Sequence, residues 1–432
     1  MRVFSSKDTI TIGLMMFALF LGAGNLIFPP SLGQAAGTSV LFATIGFLVT
    51  GVGLPILAII AIAKTGGTLQ TVSERVGPIF SVIFPLSVYL AIGPLFGIPR
   101  TGSVAYEIGL LPYLETPSRL TLFLFTVCFF GISYWLSLNP SKLVGRIGKV
   151  LTPILVAVLA VLTVTGILNP MGSPNPPLTA YSDFPFFTGF QEGYFTMDAI
   201  AALVFGIIVI SRLKERGVTT PSELVKRATQ ISFIAGTGLV FVYLSLAYLG
   251  ATSVNIIGYQ ENGGTILSGI SQQLLGSKGL ILLSVIITIA CLTTSVGLIA
   301  AFGEYIQRSM PKVPYELTTG IIALFSFFMA NMGLTQLIQF SIPMLFMIYP
   351  IAIVLILYTQ FGDFGKDSNI YKGSVIGAAI VSIPDGLSQT VVFSETFLPF
   401  LQFLPFSNIG LAWLTPALFG GVIGYFSRST VK

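Results

Sequence analysis

The chain has 432 residues, of which 54% are hydrophobic and only 9% are charged, with a formal net charge of +5. Soluble proteins carry about 25% charged residues, so this composition excludes a soluble protein and indicates an integral membrane protein. Histidine is absent, and no metal cluster or activated nucleophile stands out, so we expect no enzyme. The cations follow membrane topology, so we expect lipid around the protein and no nucleic acid.

Apolar runs of about 20 residues, enough for one helical span, recur along the chain. They predict an all-α fold with about twelve transmembrane helices, at 9–29, 38–63, 78–99, 119–138, 146–168, 190–211, 227–251, 279–307, 316–333, 335–359, 371–394 and 409–427. With the N-terminus inside, Lys and Arg divide 18 to 3, and the outer side receives only Arg100, Arg119 and Lys278. This division follows the positive-inside rule and predicts that both termini are cytoplasmic.

The first span contains the stretch ALFLGAGNLIFPP, Ala18–Pro30. Gly22 and Gly24 each cost about 1 kcal/mol in a helix relative to alanine, Asn25 prefers caps, and Pro29-Pro30 are expected to end the second half. We therefore predict a helix that breaks within the membrane and is not removed as a signal peptide. Bare backbone at that depth is tolerated only where it lines a cavity, as in transporters. The alternative is a small-residue patch for helix packing.

The third span ends in GPLFGIPRTGSVAYEIG, Gly93–Gly109. Arg100 follows the predicted end of the span, and Glu107 lies seven residues on, on roughly the same helix face. Arg100 is a candidate to close an outer gate with a carboxylate or to hold a substrate carboxylate. The alternative is an arginine that snorkels to the outer interface.

Two long connections are predicted on the outer side. Five prolines make the first, 169–189, extended rather than helical. The second, 252–278, is expected to form a short amphipathic helix around 263–276.

The sixth span begins GYFTMDAIAALVFG, Gly193–Gly206, and places Asp198 beside Thr196 in an apolar segment. A charge at the bilayer centre costs about 2.5–3.5 kcal/mol and usually faces a cavity or a partner. Asp198 could cap the inner half of this span or take part in cation coupling. Interrupted helices then start two sets of five spans, which predicts an inverted repeat of residues 1–168 and 190–360, followed by two extra helices in 361–432. Asp385, in these extra helices, is expected to have a structural or packing role.

The eighth span contains CLTTSVGL, in which Cys291, Thr294 and Ser295 share one helix face. Hydroxyl and carbonyl oxygens suit a hard cation, so this face is a candidate sodium site, with further carbonyls from Ala18 and Leu21. The alternative is that the hydroxyls only bond back to the carbonyl four residues earlier. Charges near the inner end of this span, at Glu304, Arg308 and Lys312, are expected to be interfacial.

The breaks also suit an α-amino acid. Amides at Ala23 and Gly24 would receive the carboxylate, aided by the positive end of the following half-helix. Carbonyls of span six, with the Thr196 hydroxyl, would receive the ammonium group. Phe195 and Met197 are candidates for an apolar lining that accepts an aliphatic side chain.

The motifs GAGNLIFPP, IPRTGSVAYEIG, GYFTMDAIAALVFG and CLTTSVGL together resemble the bacterial branched-chain amino acid:cation symporters, the BrnQ-type carriers. The resemblance covers essentially the whole chain. It implies uptake of leucine, isoleucine and valine across the bacterial inner membrane, normally with sodium and without an organic cofactor. It also implies the five-plus-five fold of LeuT-type transporters.

The superfamily pattern implies roles for residues at matching positions. Ala23, Gly24 and Asn25 match the unwound part of the first helix, and Phe195 and Thr196 match the break in the sixth. The cation site on the eighth helix matches Cys291, Thr294 and Ser295, and Cys291 contributes only its carbonyl. Asn25 and Thr196 could instead form a second cation site. Asp198 departs from the glycine-rich break of related families, which leaves the cation count open.

These observations predict a secondary transporter that imports a branched-chain amino acid with sodium by alternating access. Three rivals remain: a proton-coupled carrier that uses Asp198, an amino acid exchanger, and a membrane sensor that binds its ligand without moving it.

Overall fold

The computed structural model describes residues 4–361, 368–390 and 392–427, with side chains described in these ranges except at 140–151 and 368. Within them the chain forms helices joined by short connections, without strands. Several cations assigned to the inner side fall outside the described side chains, namely Arg2, Lys142, Arg146, Lys149, Lys366, Arg428 and Lys432.

The first half of the chain forms nine helices, described here over the ranges above: α1 Ser6–Phe20, α2 Ala23–Ala36, α3 Val40–Leu48, α4 Leu54–Thr65, α5 Leu69–Glu74, α6 Phe80–Leu90, α7 Gly97–Gly109, α8 Arg119–Ser137 and α9 Pro140–Leu168. The described part of the second half adds α10 Thr179–Ser182, α11 Pro185–Glu192, α12 Asp198–Glu215, α13 Pro221–Ile257, α14 Gly263–Ser309, α15 Tyr315–Ala330, α16 Leu334–Tyr358, α17 Ser368–Ser388, α18 Ser394–Gln402 and α19 Leu414–Phe426.

Every predicted span overlaps one of these helices or a pair of them. By length and composition alone, six helical stretches of the described residues could cross a membrane, and a seventh if the bent pair Pro185–Thr196 and Asp198–Glu215 is one span. That pair bends by 44°. Shorter apolar helices include Tyr315–Ala330 and Leu414–Phe426. The all-α membrane fold expected from the sequence is therefore present, whereas the division into repeats at 1–168 and 190–360 stays a prediction.

The first span is broken where the sequence predicts it. The last regular helical hydrogen bond of α1 is donated by Leu21 N–H to the Phe17 carbonyl. Gly22 N–H instead donates to the Phe20 carbonyl, only two residues earlier, at 2.6 Å. Asn25 Oδ1 also accepts from Gly22 N–H at 3.1 Å, so this side chain stabilises the start of α2. The expectation that Pro29-Pro30 end the second half is wrong, because α2 continues to Ala36.

The reason that α2 survives its prolines lies in its packing. A Cβ at Gly33 would overlap the backbone of α13 at Ala247, so the two helices touch backbone to backbone. Pro29 and Pro30 are both buried, and the Pro30 carbonyl lies against Gly250 of α13. Neighbouring helices compensate for the hydrogen bonds that a proline removes from a membrane helix.

The third span is longer than predicted and is itself interrupted. The segment Ala91–Leu95 has π-helical bonding, and Gly93 leaves the helical region at φ −89° and ψ −123°. The chain then resumes as α7 up to Gly109, and Arg100 N–H bonds to the Phe96 carbonyl at 3.0 Å. Arg100 therefore lies in the first turn of a half-helix inside the bundle, not beyond the outer end of a span.

The outer connections agree in part with expectation. Residues 169–178 have no helix, but Thr179–Ser182 is helical and α11 starts at Pro185, so the prediction of an extended segment to 189 is wrong at its end. The second connection is shorter than predicted, since α13 continues to Ile257. The helix expected around 263–276 is present and leads into the eighth span through a kink at Gly276, whose φ is 65°.

The packing of the bundle defines where a central site can lie. Half-helix α2 packs on α13 and α14, α7 packs on α14, and α12 packs on α4. Near the C-terminus, α17 packs against α19 and α16. The breaks in spans one and six are thereby enclosed by α7, α13, α14 and α16.

Candidate functional site

The sixth span breaks at a left-handed turn. A short 3-10 segment, Gly193–Thr196, is followed by Met197 at φ 63°, and α12 begins at Asp198. The Thr196 hydroxyl donates to the Gly193 carbonyl at 3.0 Å and accepts from Asp198 N–H at 3.3 Å. Left-handed backbone is unusual for a residue with a side chain and marks functional or strained positions. Met197, predicted to line the pocket, is the buried residue at this turn.

The two breaks face each other. A Cβ added to Gly24 would lie 3.3 Å from the Thr196 carbonyl oxygen and 3.3 Å from Arg100 Nη1. Ala23, Gly24 and Asn25 form the first turn of α2, whose amides have no carbonyl partner within the helix. The first-turn amides of span one therefore stand opposite carbonyls of span six, and their role in binding an α-amino acid stays a prediction.

A buried polar cluster joins spans one, six and seven. Asp198 Oδ2 accepts from Asn25 Nδ2 at 2.7 Å and from the Tyr243 hydroxyl at 2.5 Å. Asn25 Nδ2 also contacts the Tyr243 hydroxyl. All three residues are buried, with Tyr243 at 0% exposure. Asp198 lies in the first turn of α12, where the helix dipole favours a negative charge.

Arg100 lies between the two breaks. Its Nη1 donates to the Phe195 carbonyl at 2.6 Å, and its Nη2 donates to Ser341 Oγ of α16 at 3.3 Å. The guanidinium carbon is 5.0 Å from the centre of the Phe28 ring. Arg100 is only 2% exposed, so the snorkelling alternative is wrong. Arg100 was a candidate site residue in the sequence analysis, but its burial was not predicted because the predicted third span ended at residue 99.

Aromatic rings cover one side of the breaks. The Phe195 ring is 5.7 Å from Phe28 and 6.3 Å from Phe346, measured between centroids. Phe195 is only partly buried, unlike Met197. Of these three rings, the sequence analysis named only Phe195 as a candidate for the apolar lining, and that role stays a prediction.

The predicted cation ligands of span eight lie against the break in span one. A Cβ at Gly22 would be 3.5 Å from Thr294 Cγ2. Thr294 Oγ1 donates to the Ala290 carbonyl at 3.0 Å, which is the back-bonding alternative, yet its lone pairs stay available. Ser295 Oγ is buried and has no partner among the described residues. Cys291 is buried, Leu21 caps α1, and Ala18 lies in the last turn of α1.

Glu107 is not brought to Arg100. A Cβ at Gly264 would lie 3.1 Å from Glu107 Cβ, which places the Glu107 side chain against the start of α14. None of the ion pairs among the described residues includes Arg100 or Glu107. An Arg100–Glu107 gate is therefore not formed in this structure.

The remaining charged candidates have ordinary surroundings. Glu304 and Arg308 form an ion pair at 3.5 Å with both side chains more than half exposed, as expected for interfacial charges. Asp385 lies partly buried in α17, outside the predicted ten-span core. Sequence reasoning missed Tyr243 and Ser341, since a single hydroxyl in an apolar span does not reveal which way it faces.

Comparison with solved structures identifies the fold. The chain is similar to Mhp1, a nucleobase-cation-symport-1 family transporter, in a closed conformation with bromovinylhydantoin bound, with a TM-score of 0.63 at 15% identity over 97% of this chain and 92% of that one. It is similar to MhsT in complex with L-phenylalanine, with a TM-score of 0.56 at 14% identity over 99% of both chains. The protein thus has the LeuT-like fold of integral membrane transporters.

Comparison of sequences identifies the family. Residues 5–431 match the family described as branched-chain amino acid transport protein. The branched-chain amino acid permease BraB of Bacillus subtilis is 48% identical over 97% of this chain and 95% of its own length. The branched-chain amino acid permease BrnQ of Escherichia coli is 39% identical over 96% of this chain and 94% of its own length. The chain therefore belongs to the branched-chain amino acid transport protein family.

Proposed function

We propose that this protein imports leucine, isoleucine and valine together with sodium across the bacterial inner membrane, with both termini in the cytoplasm. The observation that carries this proposal is the facing pair of breaks, with Gly24 beside the Thr196 carbonyl. Amides at one break and carbonyls at the other offer partners for both ends of a zwitterion. The permease names of the relatives favour a branched aliphatic side chain.

The substrate carboxylate would bind the first-turn amides of α2, at Ala23 and Gly24. The ammonium group would bind the carbonyls at Phe195 and Thr196, where span six has no regular helix. Phe28, Phe195 and Phe346 would line the apolar part of the site. An aliphatic side chain gains about 25 cal/mol for each Å² of apolar surface that it buries there.

Sodium would bind between α14 and the break in span one. Thr294 is placed beside Gly22, and the Ser295 hydroxyl is buried without a partner among the described residues. Carbonyls at Ala18, Leu21 and Cys291 would complete a set of hard oxygen ligands. Sodium bound here would fasten span one to span eight, and its release would free α1 to tilt and open the inner side.

One cation transported with each substrate molecule supplies enough free energy to accumulate the substrate. Moving one charge through 100 mV releases about 2.3 kcal/mol, which sustains a gradient of roughly 40-fold at about 1.4 kcal/mol per decade. A sodium gradient would add to this accumulation.

The test is radiolabelled leucine flux into proteoliposomes under separately imposed gradients. An inward sodium gradient at fixed pH should drive accumulation, and replacement of sodium by choline should abolish it. Uptake driven by a proton gradient without sodium would instead support the proton-coupled rival that uses Asp198. Flux that needs amino acid on the opposite side would support an exchanger, and binding without flux would support a sensor.

A further inference from the structure

The guanidinium of Arg100 occupies the acceptor that the proposed function gives to the substrate ammonium group. Its Nη1 donates to the Phe195 carbonyl at 2.6 Å, its Nη2 donates to Ser341 Oγ, and its guanidinium carbon lies over the Phe28 ring. This carbonyl oxygen has a second lone pair, but an ammonium group brought within hydrogen-bond distance of the same oxygen would be repelled by the positive guanidinium beside it. Arg100 and a bound substrate therefore compete for one carbonyl.

Arg100 is also incompletely satisfied. Its Nε is buried and has no acceptor among the described residues, and Arg100 joins none of the ion pairs found there. A buried charge without an ionic partner costs free energy unless nearby dipoles, or an ion that binds beside it, compensate for the lost hydration. Arginine suits paired recognition of a carboxylate, because its donors form a planar fork. One donor of the guanidinium is therefore free to bind an anionic partner.

We propose that Arg100 is an internal substitute for the substrate ammonium group and that binding exchanges the two cations. In the empty transporter the guanidinium satisfies the Phe195 carbonyl and ties α7 to the break in span six. When an amino acid enters, its ammonium group takes that carbonyl, and the displaced guanidinium pairs with the substrate carboxylate. This inference rests on the proposed function and adds the residue that completes the site when no substrate is bound.

The exchange of cations has a consequence for the transport cycle. A carrier that accumulates substrate must return empty, and an empty site would expose a bare carbonyl in a low-dielectric environment. Arg100 removes that cost, so the empty protein can close and return. When the carrier exchanges one substrate molecule for another, it never returns empty. Exchange therefore does not require Arg100 to replace the substrate ammonium group at the carbonyl.

The test compares net uptake with exchange in the same proteoliposomes at saturating leucine. Arg100→Gln removes the cation, and we expect net sodium-driven uptake to fall about tenfold more than leucine–leucine exchange, equivalent to about 1.4 kcal/mol. Arg100→Lys keeps a charge and should show a smaller change in the same direction. Arg119→Gln, at the exposed start of α8, is the matched control and should leave the ratio unchanged.

Ser341→Ala keeps the proposal testable if the Arg100 variants do not fold. It removes only one anchor of the guanidinium, so the ratio of net uptake to exchange should fall by about two- to threefold, less than 1 kcal/mol. An unchanged ratio in Ser341→Ala, or a parallel fall of net uptake and exchange in Arg100→Gln, overturns the inference. Absence of any leucine flux in the unaltered protein would instead overturn the proposed function.

Discussion

The hydroxyl of Tyr243 donates a 2.5 Å hydrogen bond to Oδ2 of Asp198. It fastens the middle of α13 to the first turn of α12, directly after the break in span six. Asn25, in the first turn of α2, donates to the same oxygen at 2.7 Å. One carboxylate thus holds both breaks in register, which explains why an acidic residue is tolerated at this depth.

We expect Tyr243→Phe to destabilise the protein and to reduce leucine uptake. It leaves a buried carboxylate with one donor fewer, which costs about 1–3 kcal/mol, and it loosens the alignment of the breaks. Thermal unfolding in detergent and initial uptake rates measure the two effects. Tyr248→Phe, which changes a partly buried tyrosine of the same helix, is the control. Equal stability of the two variants would show that the Asp198 contact contributes little.

Gly24→Ala should abolish leucine transport with little loss of stability. Its methyl group would project between the breaks, 3.3 Å from both the Thr196 carbonyl oxygen and Arg100 Nη1, where the substrate is proposed to bind. Alanine is otherwise favoured over glycine in a helix by about 1 kcal/mol. Gly131→Ala on α8 is the control, since a Cβ there meets nothing within 4 Å. Normal uptake by Gly24→Ala would remove this gap as the substrate site.

Thr294→Ala and Ser295→Ala should each raise the sodium concentration needed for half-maximal leucine uptake by about tenfold, equivalent to about 1.4 kcal/mol for one lost oxygen ligand. The maximal rate at high sodium should recover, because the substrate contacts are untouched. Thr293→Ala is the control, as its hydroxyl donates to the Ala290 carbonyl and it lies outside the proposed site. Unaltered sodium dependence in both variants would contradict the cation site between α14 and span one.

Breaking the ion pair between Asp8 and Arg216 should favour opening at the end of the bundle predicted to be cytoplasmic. This pair joins the first turn of α1 to the end of α12, and the Asp8 side chain is only 6% exposed. Asp8→Asn and Arg216→Gln should each increase thiol labelling of Cys291, which is buried, measured in a Cys128→Ser background. If the ion pair is the cause, the double variant should label no faster than either single one.

The control for that experiment is a neighbouring exposed ion pair. Arg212 and Glu215 are 2.8 Å apart, with side chains 55% and 58% exposed. Exposed pairs of this kind contribute about 0–1 kcal/mol, so Arg212→Gln should leave labelling of Cys291 unchanged. A similar increase in this variant would show that any loss of charge near the inner end opens the bundle.

Local patterns in the chain were sufficient to predict the break in span one. Gly22, Gly24 and Asn25 disfavour a continuous helix whatever surrounds them, and the structure interrupts the helix there. The same local logic failed for Pro29 and Pro30, because close packing on α13 keeps α2 helical. The sequence-based prediction also ended span three too early. A window of apolar residues does not show that the span continues beyond an interruption at Gly93.

The sequence by itself determined that this is a helical membrane protein with discontinuous spans, because hydrophobicity and backbone preference are properties of each segment. Only the tertiary structure decided which groups meet at the breaks. Arg100 reaches the Phe195 carbonyl across 95 positions of the chain, and Asn25 reaches Asp198 across 173. Such pairs depend on how distant helices pack and rotate against one another, which no local pattern encodes.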